Sequence, residues 1–396
     1  MTQRTVITNI GCLVSGSIDI APKRDVSMVI EDGLIASIGD HTPSVAALTV
    51  DAHGLSVMPG LVDGHVHPTV GEWTPAQNST GWVRNYLHGG TTTMISAGEL
   101  HIPGLPFDQL SPQLVMSIAR TSLATIGTYR PSGVKVKAGT LLLVPGLTVD
   151  DFDQLAEDGI QQLKFIFYDW NRLEDGEANR YVDLAHERGM NVKMHSGGVS
   201  RSGSSRVAGY DVVSTIEPDV IAHISGGPIP MPDDEITSLV ESLPTATTEV
   251  CSSMNFRATK VVTDSLSKRG ELQRLTLGTD TPGGTGVIPR GMLRNICFIS
   301  SMCGVPAEAA VAAATGNVMR QHGLHGGTLE IGQPADFLIL GGITGSRAND
   351  VLECFELGDL PGISSVFIDG KPYVRGRSEQ TPPPREIAEF HPHVAR

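Results

Sequence analysis

Eight short apolar runs, each followed by a helix-like stretch, fill the chain between residues 58 and 324, and no other feature restricts the fold as sharply. In order they are LVDGHVH, TTTMISAG, GVKVKAGTLLLV, IQQLKFIF, NVKMHSG, VIAHISGG, ATTEVCSS and RLTLGTD. Strand-length apolar runs alternating with helices are the pattern of parallel βα units, and eight of them predict a closed (β/α)8 TIM barrel. The intervening stretches TVDDFDQLAEDG, ANRYVDLAHERG and PDDEITSLVESL open on or near capping or acidic residues, as helices do.

The two ends read differently. RTVITNIGCLV, DVSMVIEDGLIASIG and ALTVDAHGLSVMPG at one end, and GTLEIGQPADFLILGG and SSVFIDGKPYVRG at the other, are short β-rich pieces with glycine turns between them. We expect residues 1–57 and 325–396 to build one small β-sandwich domain beside a barrel of residues 58–324. A chain of 396 residues is long enough for two such cores.

Barrel enzymes carry their chemistry at the carboxyl ends of the strands, so the residues that finish the eight runs are the candidates. The first run ends in His65 and His67, the fourth carries Lys164, the fifth ends near His195, the sixth near His223 and the eighth in Asp280. Residues i and i+2 of a strand face the same side, which lets His65 and His67 share one metal ion. Taken singly, each has an ordinary reading: a polar strand end for the histidine pair, a satisfied buried histidine for His195 or His223, a solvent-pointing lysine for Lys164, a turn or helix cap for Asp280. Their joint placement favours a metal site.

Charge and cysteine usage exclude other classes. Lys and Arg total 29 against 43 Asp and Glu, a net charge of -14 with no basic block, which argues against nucleic-acid binding. The five cysteines are scattered without a CxxC, as in a reduced cytoplasmic protein. Neither a signal peptide nor an apolar run of about 18 residues is evident, so a soluble protein without a membrane partner is expected. The glycine-rich GGPIPMPDD and TPGGTGVIPRG lack the lysine and serine of a P-loop and read as strand-to-helix turns at the barrel mouth. MLRNICFISSMCG, with Met302 near its end, reads as a helix packed into the core.

PGLVDGHVH, followed by MHSGG, AHISGG, GTD and the late AAATGNVMRQHGLHGGTLEIGQPADFLIL, resembles the amidohydrolase superfamily over nearly the whole chain. Gly332, Ala335 and Asp336 look like that family's turn from the barrel back into its β-sandwich. More narrowly, HGGTTTMISAG, RPSGVKVKAG, VKMHSGG, AHISGGP and GTGVIPRGMLRNICFISSM look like the enamidase branch, hydrolases of cyclic amides in nicotinate fermentation.

The resemblance implies two divalent ions: His65, His67 and Asp280 on the more buried one, His195 and His223 on the second, and Lys164 bridging them as its carbamate. Enamidases look to use a glutamate bridge, which falls near Phe165, so a one-metal site with a neutral Lys164 is the alternative. An unmodified ammonium beside two dications would be repelled, whereas a carbamate offers each an anionic oxygen. Imidazole and carboxylate ligands suit zinc, with iron and manganese as alternatives. Asp280, ligand and base together, is then the expected catalytic residue, taking the proton of a metal-activated water and passing it to the leaving nitrogen.

For substrate binding the candidates are Trp73, with Glu72 beside it, in HPTVGEWTPAQNSTGW, Arg130 in TYRPSGVKVK, Lys137 and Asn255, with His101 as a further mouth residue. A guanidinium fork at Arg130 would match an anionic group, and a surface ion pair is its other reading. Between Gly71 and Trp82 the chain departs from the enamidase pattern, which looks to have a Tyr and an Arg near Trp73 and Ala76. The resemblance therefore carries a cyclic amide, lactam or enamide as substrate without carrying the nicotinate-derived ring. Competing readings are an aromatic-ring deaminase, a hydrolase of another amide or imide such as a hydantoin, and a non-catalytic binding protein. Deaminases of the superfamily look to place a glutamate beside a metal histidine on the fifth or sixth strand, and MHSGG and AHISGG show none. The resemblance also implies a homotetramer.

Overall fold

Gly60 divides two kinds of strand. On its amino side lie β1 (Arg4–Leu13), β2 (Lys23–Glu31), β3 (Leu34–Gly39), β4 (Leu48–Asp51) and β5 (Ser56–Pro59). The computed structural model describes residues 4–40, 46–68, 81–99, 101–102, 104–198, 207–225, 229–253, 255–283 and 286–392. On the other side come the barrel strands β6 (Leu61–Val66), β7 (Thr91–Ser96), β8 (Lys135–Lys137), β9 (Leu141–Leu142), β10 (Gln162–Phe165), β11 (Asn191–His195), β12 (Val220–Ala222), β13 (Thr247–Cys251) and β14 (Leu275–Gly278). The chain then returns through β15 (Phe337–Gly341), β16 (Gly362–Ile368), β17 (Lys371–Val374) and β18 (Glu389–Pro392).

Terminal strands from both ends form one sheet in the order β17-β16-β15-β5-β1-β2-β3, with β4 on β1 and β18 on β4. β1 is long enough to take two parallel partners in turn, β4 along Thr5–Thr8 and β5 along Cys12–Leu13. The branch lets the sheet close over its own core of Ile7, Ile10, Met28, Val50, Phe337 and Phe367. Phe367 stacks on Phe337 from the neighbouring strand and also on Phe390 of β18, which joins the sheet through β4.

Each barrel strand except β8, which leads straight into β9, is followed by a helix, from Gly81–His88 after β6 to Gly291–Ser301 after β14. Parallel pairing runs β6-β7-β8 and β9-β10-β11-β12-β13-β14. The ring closes where β14 meets β6, through Asp280 N–H to His65 O at 2.8 Å and His67 N–H to Thr281 O at 2.7 Å. Local chemistry sets helix starts: Thr148 and Asp151 form a reciprocal capping box, and the Ser111 and Asn255 side chains accept from Leu114 N–H and Ala258 N–H.

The third apolar run is one strand by its hydrophobicity and two in the fold. β8 pairs with β7 and β9 with β10, and the break falls at Ala138–Thr140, where Gly139 has φ +92° and its N–H donates to Glu99. Only a glycine adopts that conformation readily, and its carboxylate partner lies on another strand's loop. Helix Gly291–Ser301 packs into the core as its sequence suggests, but Met302, which follows it, is two-thirds exposed. Among the described residues no helix is long and apolar enough to cross a membrane. All five cysteines are free and buried.

Candidate metal centre

The residues that end the strands converge. His65 lies on β6 with His67 just beyond it, Lys164 is on β10, His195 ends β11, His223 follows β12 and Asp280 lies two residues past β14. All are buried, from 0% exposed for His65 and Lys164 to 7% for Asp280. His223 and Asp280 have φ of +38° and +58°, a left-handed conformation that side-chain-bearing residues adopt at a cost of about 1 kcal/mol or more. Backbone bonds hold both turns, Ile224 N–H to Glu249 O and Asp280 N–H to His65 O.

Hydrogen bonds assign the lone pairs. His67 Nδ1 donates to Gly98 O at 2.7 Å and His65 Nδ1 to Glu249 Oε1 at 2.5 Å, so each ring presents Nε2 to the centre. These atoms lie 3.2 Å (His67) and 3.5 Å (His65) from Asp280 Oδ1, and His65 Nε2 is 3.4 Å from Lys164 Nζ. His195 Nδ1 faces His223 Nε2 at 3.2 Å. Ligands of one tetrahedral ion with bonds of about 2.0–2.1 Å stand about 3.3 Å apart, so this spacing is that of donors around shared ions. The ring centroids of His65 and His223, 5.3 Å apart, bring the two groups into one cluster.

Protonation suits metal binding. Burial holds the imidazoles of His65 and His223 well below their ordinary value and His195 near about 3, which leaves them neutral with lone pairs available. Burial works against ionisation of Asp280, but the surrounding His67, His65 and His223 outweigh it and keep the carboxyl well below its usual range. Burial and then the charge of Lys193 bring Lys164 down to about 7. Lys164 in turn acts electrostatically on His65, His195 and His223 alike, as a group between the two halves of the site would.

Several site residues escaped sequence reasoning. Glu249 on β13 holds His65, and Lys193 on β11 pairs with Glu249 Oε2 at 2.6 Å. Asp63 clamps the closing seam by accepting from Thr279 N–H at 2.8 Å, Thr279 Oγ1 at 2.5 Å and His65 N–H at 3.2 Å. Burial pushes its carboxyl up to about 7 against those bonds. The available signal was parity: Asp63 and Lys193 stand two residues before His65 and His195 and face the same way. Glu249 showed only as a charge within an apolar run. Near the mouth, the His101 ring is 5.6 Å from His67, and buried Glu99 accepts from Ser96 Oγ and Gly139 N–H.

The expected substrate residues are not gathered with the histidines. Arg130 precedes the amino end of β8, where its guanidinium pairs with Asp369 at 2.9 Å and reaches Gly133 O. A residue before a barrel strand lies at the end opposite the chemistry, which explains the placement. Lys137 is exposed in a crevice with Leu123, Gln161 and Leu324. The Asn255 side chain caps helix Phe256–Arg269. Trp73 and Glu72 lie outside the described residues.

Comparison with known proteins gives the family and supports the fold. The amidohydrolase family model matches residues 56–373. The enamidase of Eubacterium barkeri is 38% identical over 391 residues, 98% of this chain and 100% of the relative. An imidazolonepropionase of Deinococcus radiodurans is 24% identical over 362 residues, 81% of this chain and 86% of the relative. Among solved structures, that of enamidase superposes with a TM-score of 0.90 at 37% identity, covering 98% of this chain and 100% of the other.

Proposed function

This chain belongs to the amidohydrolase family, and from that premise we propose that it is a metal-dependent hydrolase that opens a cyclic amide, lactam or enamide at its C–N bond, in the manner of enamidase. The observation that carries the reading is the cluster of imidazole and carboxylate donors spaced at 3.2 to 3.5 Å at one end of the barrel. His65, His67 and Asp280 would hold one divalent ion and His195 and His223 the second, with Lys164 bridging as its carbamate. The donor set favours zinc, with iron or manganese as substitutes. When bound, such ions supply a hydroxide at neutral pH and polarise a carbonyl.

Asp280 does the proton work. Its Oδ1 faces His65 and His67, while Oδ2 lies 3.5 Å from Ser253 Oγ. Oδ2 is therefore the atom to accept the proton of the attacking water and return it to the leaving nitrogen. Lys164 is the bridge in preference to Lys193, its neighbour in register, because the Lys193 ammonium is already held by Glu249 and Gly64 O. We assign this chemistry to residues 58–324 and a supporting role to the β domain of residues 1–57 and 325–396. Trp73 belongs to the segment that follows His67 directly, which supports a role in substrate contact.

A net charge of -14 supports a small-molecule substrate, and the free buried cysteines support a cytoplasmic setting. For a homotetramer the support is the likeness to the enamidase branch. Ring-opening assays across lactams, dihydropyridones and hydantoins, after metal removal and reconstitution, test the proposal. Metal-dependent opening of a lactam or enamide is expected, and ammonia release without ring opening would replace it with the deaminase.

A further inference from the structure

Beneath the ligands lies a buried ion pair that the chemistry above does not use. Lys193 Nζ is 2.6 Å from Glu249 Oε2 and donates to Gly64 O at 2.6 Å, and Glu249 Oε1 accepts from His65 Nδ1. The His65, Lys193 and Glu249 side chains are at most 3% exposed. A buried pair of this kind seldom stabilises more than apolar residues of the same volume would, so stability is a weak account of it.

A second reading of the same place is a cation site, since ligand atoms of His65, Glu249 and Cys251 lie within 4.8 Å of one another. The Lys193 ammonium, 2.6 Å from that carboxylate, argues against it, because a dication added there would sit beside a fixed positive charge. What remains is a wired arrangement. Lys193 reaches the peptide oxygen of Gly64, the residue before His65, and the carboxylate that grips the His65 ring, so it ties backbone and side chain of one ligand together.

Resting on the metal-centre reading, we infer that Glu249 and Lys193 are positioning residues that decide which nitrogen of His65 binds metal. Glu249 keeps the proton on Nδ1, so the lone pair stays on Nε2, the atom that faces Asp280 and Lys164. Lys193 holds Glu249 in place for that task. A carboxylate behind a ligating imidazole also raises its basicity and orients the ring, and loss of such partners weakens metal binding about 10- to 100-fold.

The test is titration of the metal-free full-length protein with Co²⁺, followed by calorimetry and by the cobalt absorption bands. Glu249→Gln should weaken one of the two ions about 10- to 100-fold and shift its bands, while the other ion is little affected. The double variant Lys193→Met, Glu249→Met removes both charges and the acceptor of the His65 proton together, so it should fold by circular dichroism and show at least that loss. Lys193→Arg, which keeps the charge beside Glu249, should bind Co²⁺ close to wild type. A folded double variant with wild-type Co²⁺ affinity and spectrum would overturn the inference alone. Wild-type protein that takes up no Co²⁺ would overturn the metal-centre reading and this inference with it.

Discussion

Lysine and arginine are used in opposite ways at the two ends of the barrel. At the start of β8, against the β domain, Lys135 reaches Asp336 at 2.7 Å and Asp369 at 2.6 Å, and Arg130 joins Asp369. Each cation there has a carboxylate, and burial is partial. At the carboxyl end Lys164 is fully buried and meets an imidazole nitrogen at 3.4 Å instead of a carboxylate. Paired charges at a domain junction hold pieces together, whereas a buried amine kept from such a pair is available for chemistry.

Breaking the chemical end should have the largest effect. Asp280→Asn removes the base while keeping the shape, and a fall in kcat of about 10³-fold is expected in ring-opening assays. Lys164→Ala should abolish activity and lower metal content, with the wild type carrying the mass of one carbon dioxide adduct. Two ions retained by Lys164→Ala would remove the lysine from the centre.

A smaller effect at the same end concerns pH. Burial raises Glu99 from 4.5 to about 7, so the stability it contributes is present below 4.5 and is lost as pH rises through 7. Glu99→Gln keeps the acceptor oxygen without the charge. It should gain on wild type between pH 5 and pH 8, by up to about 3 kcal/mol in denaturant unfolding. A difference that stays level across that range would show that the carboxyl is not held protonated.

The junction should respond weakly and only in stability. Lys135→Met is expected to lose about 1–2 kcal/mol with kcat unchanged, since the ammonium is partly buried between two carboxylates. Arg130→Ala should lose less than about 1 kcal/mol, as its pair is well exposed, and leave KM unchanged. A tenfold rise in KM for Arg130→Ala would return this arginine to the substrate and dissolve the contrast between the ends.

Much of the site could be read from the chain because strand alternation and the strand-end rule are local. His65, His67, His195, His223 and Asp280 are all at or just past the carboxyl ends of apolar runs, and those ends meet once the barrel forms. Glu249, Lys193 and Asp63 were harder to read: parity marks Asp63 and Lys193 only as same-face residues, and their partners Thr279 and Glu249 lie far along the chain, as does His65 from Glu249, 184 positions away. Of the two readings of Arg130, the ion pair is the one the structure shows, because position before or after a strand, more than residue type, sets the end of the barrel a side chain reaches.

The sequence by itself determined the alternation of eight βα units, the β-rich ends and the donors at the strand ends, since periodicity and residue chemistry are properties of short segments. Only the tertiary structure decided that the third run breaks at Gly139, that Arg130 serves the domain junction, and that Glu249 rather than solvent stands behind His65. Those outcomes depend on which strands become neighbours when the ring closes, and closure brings together groups whose separation along the chain carries no record of their contact.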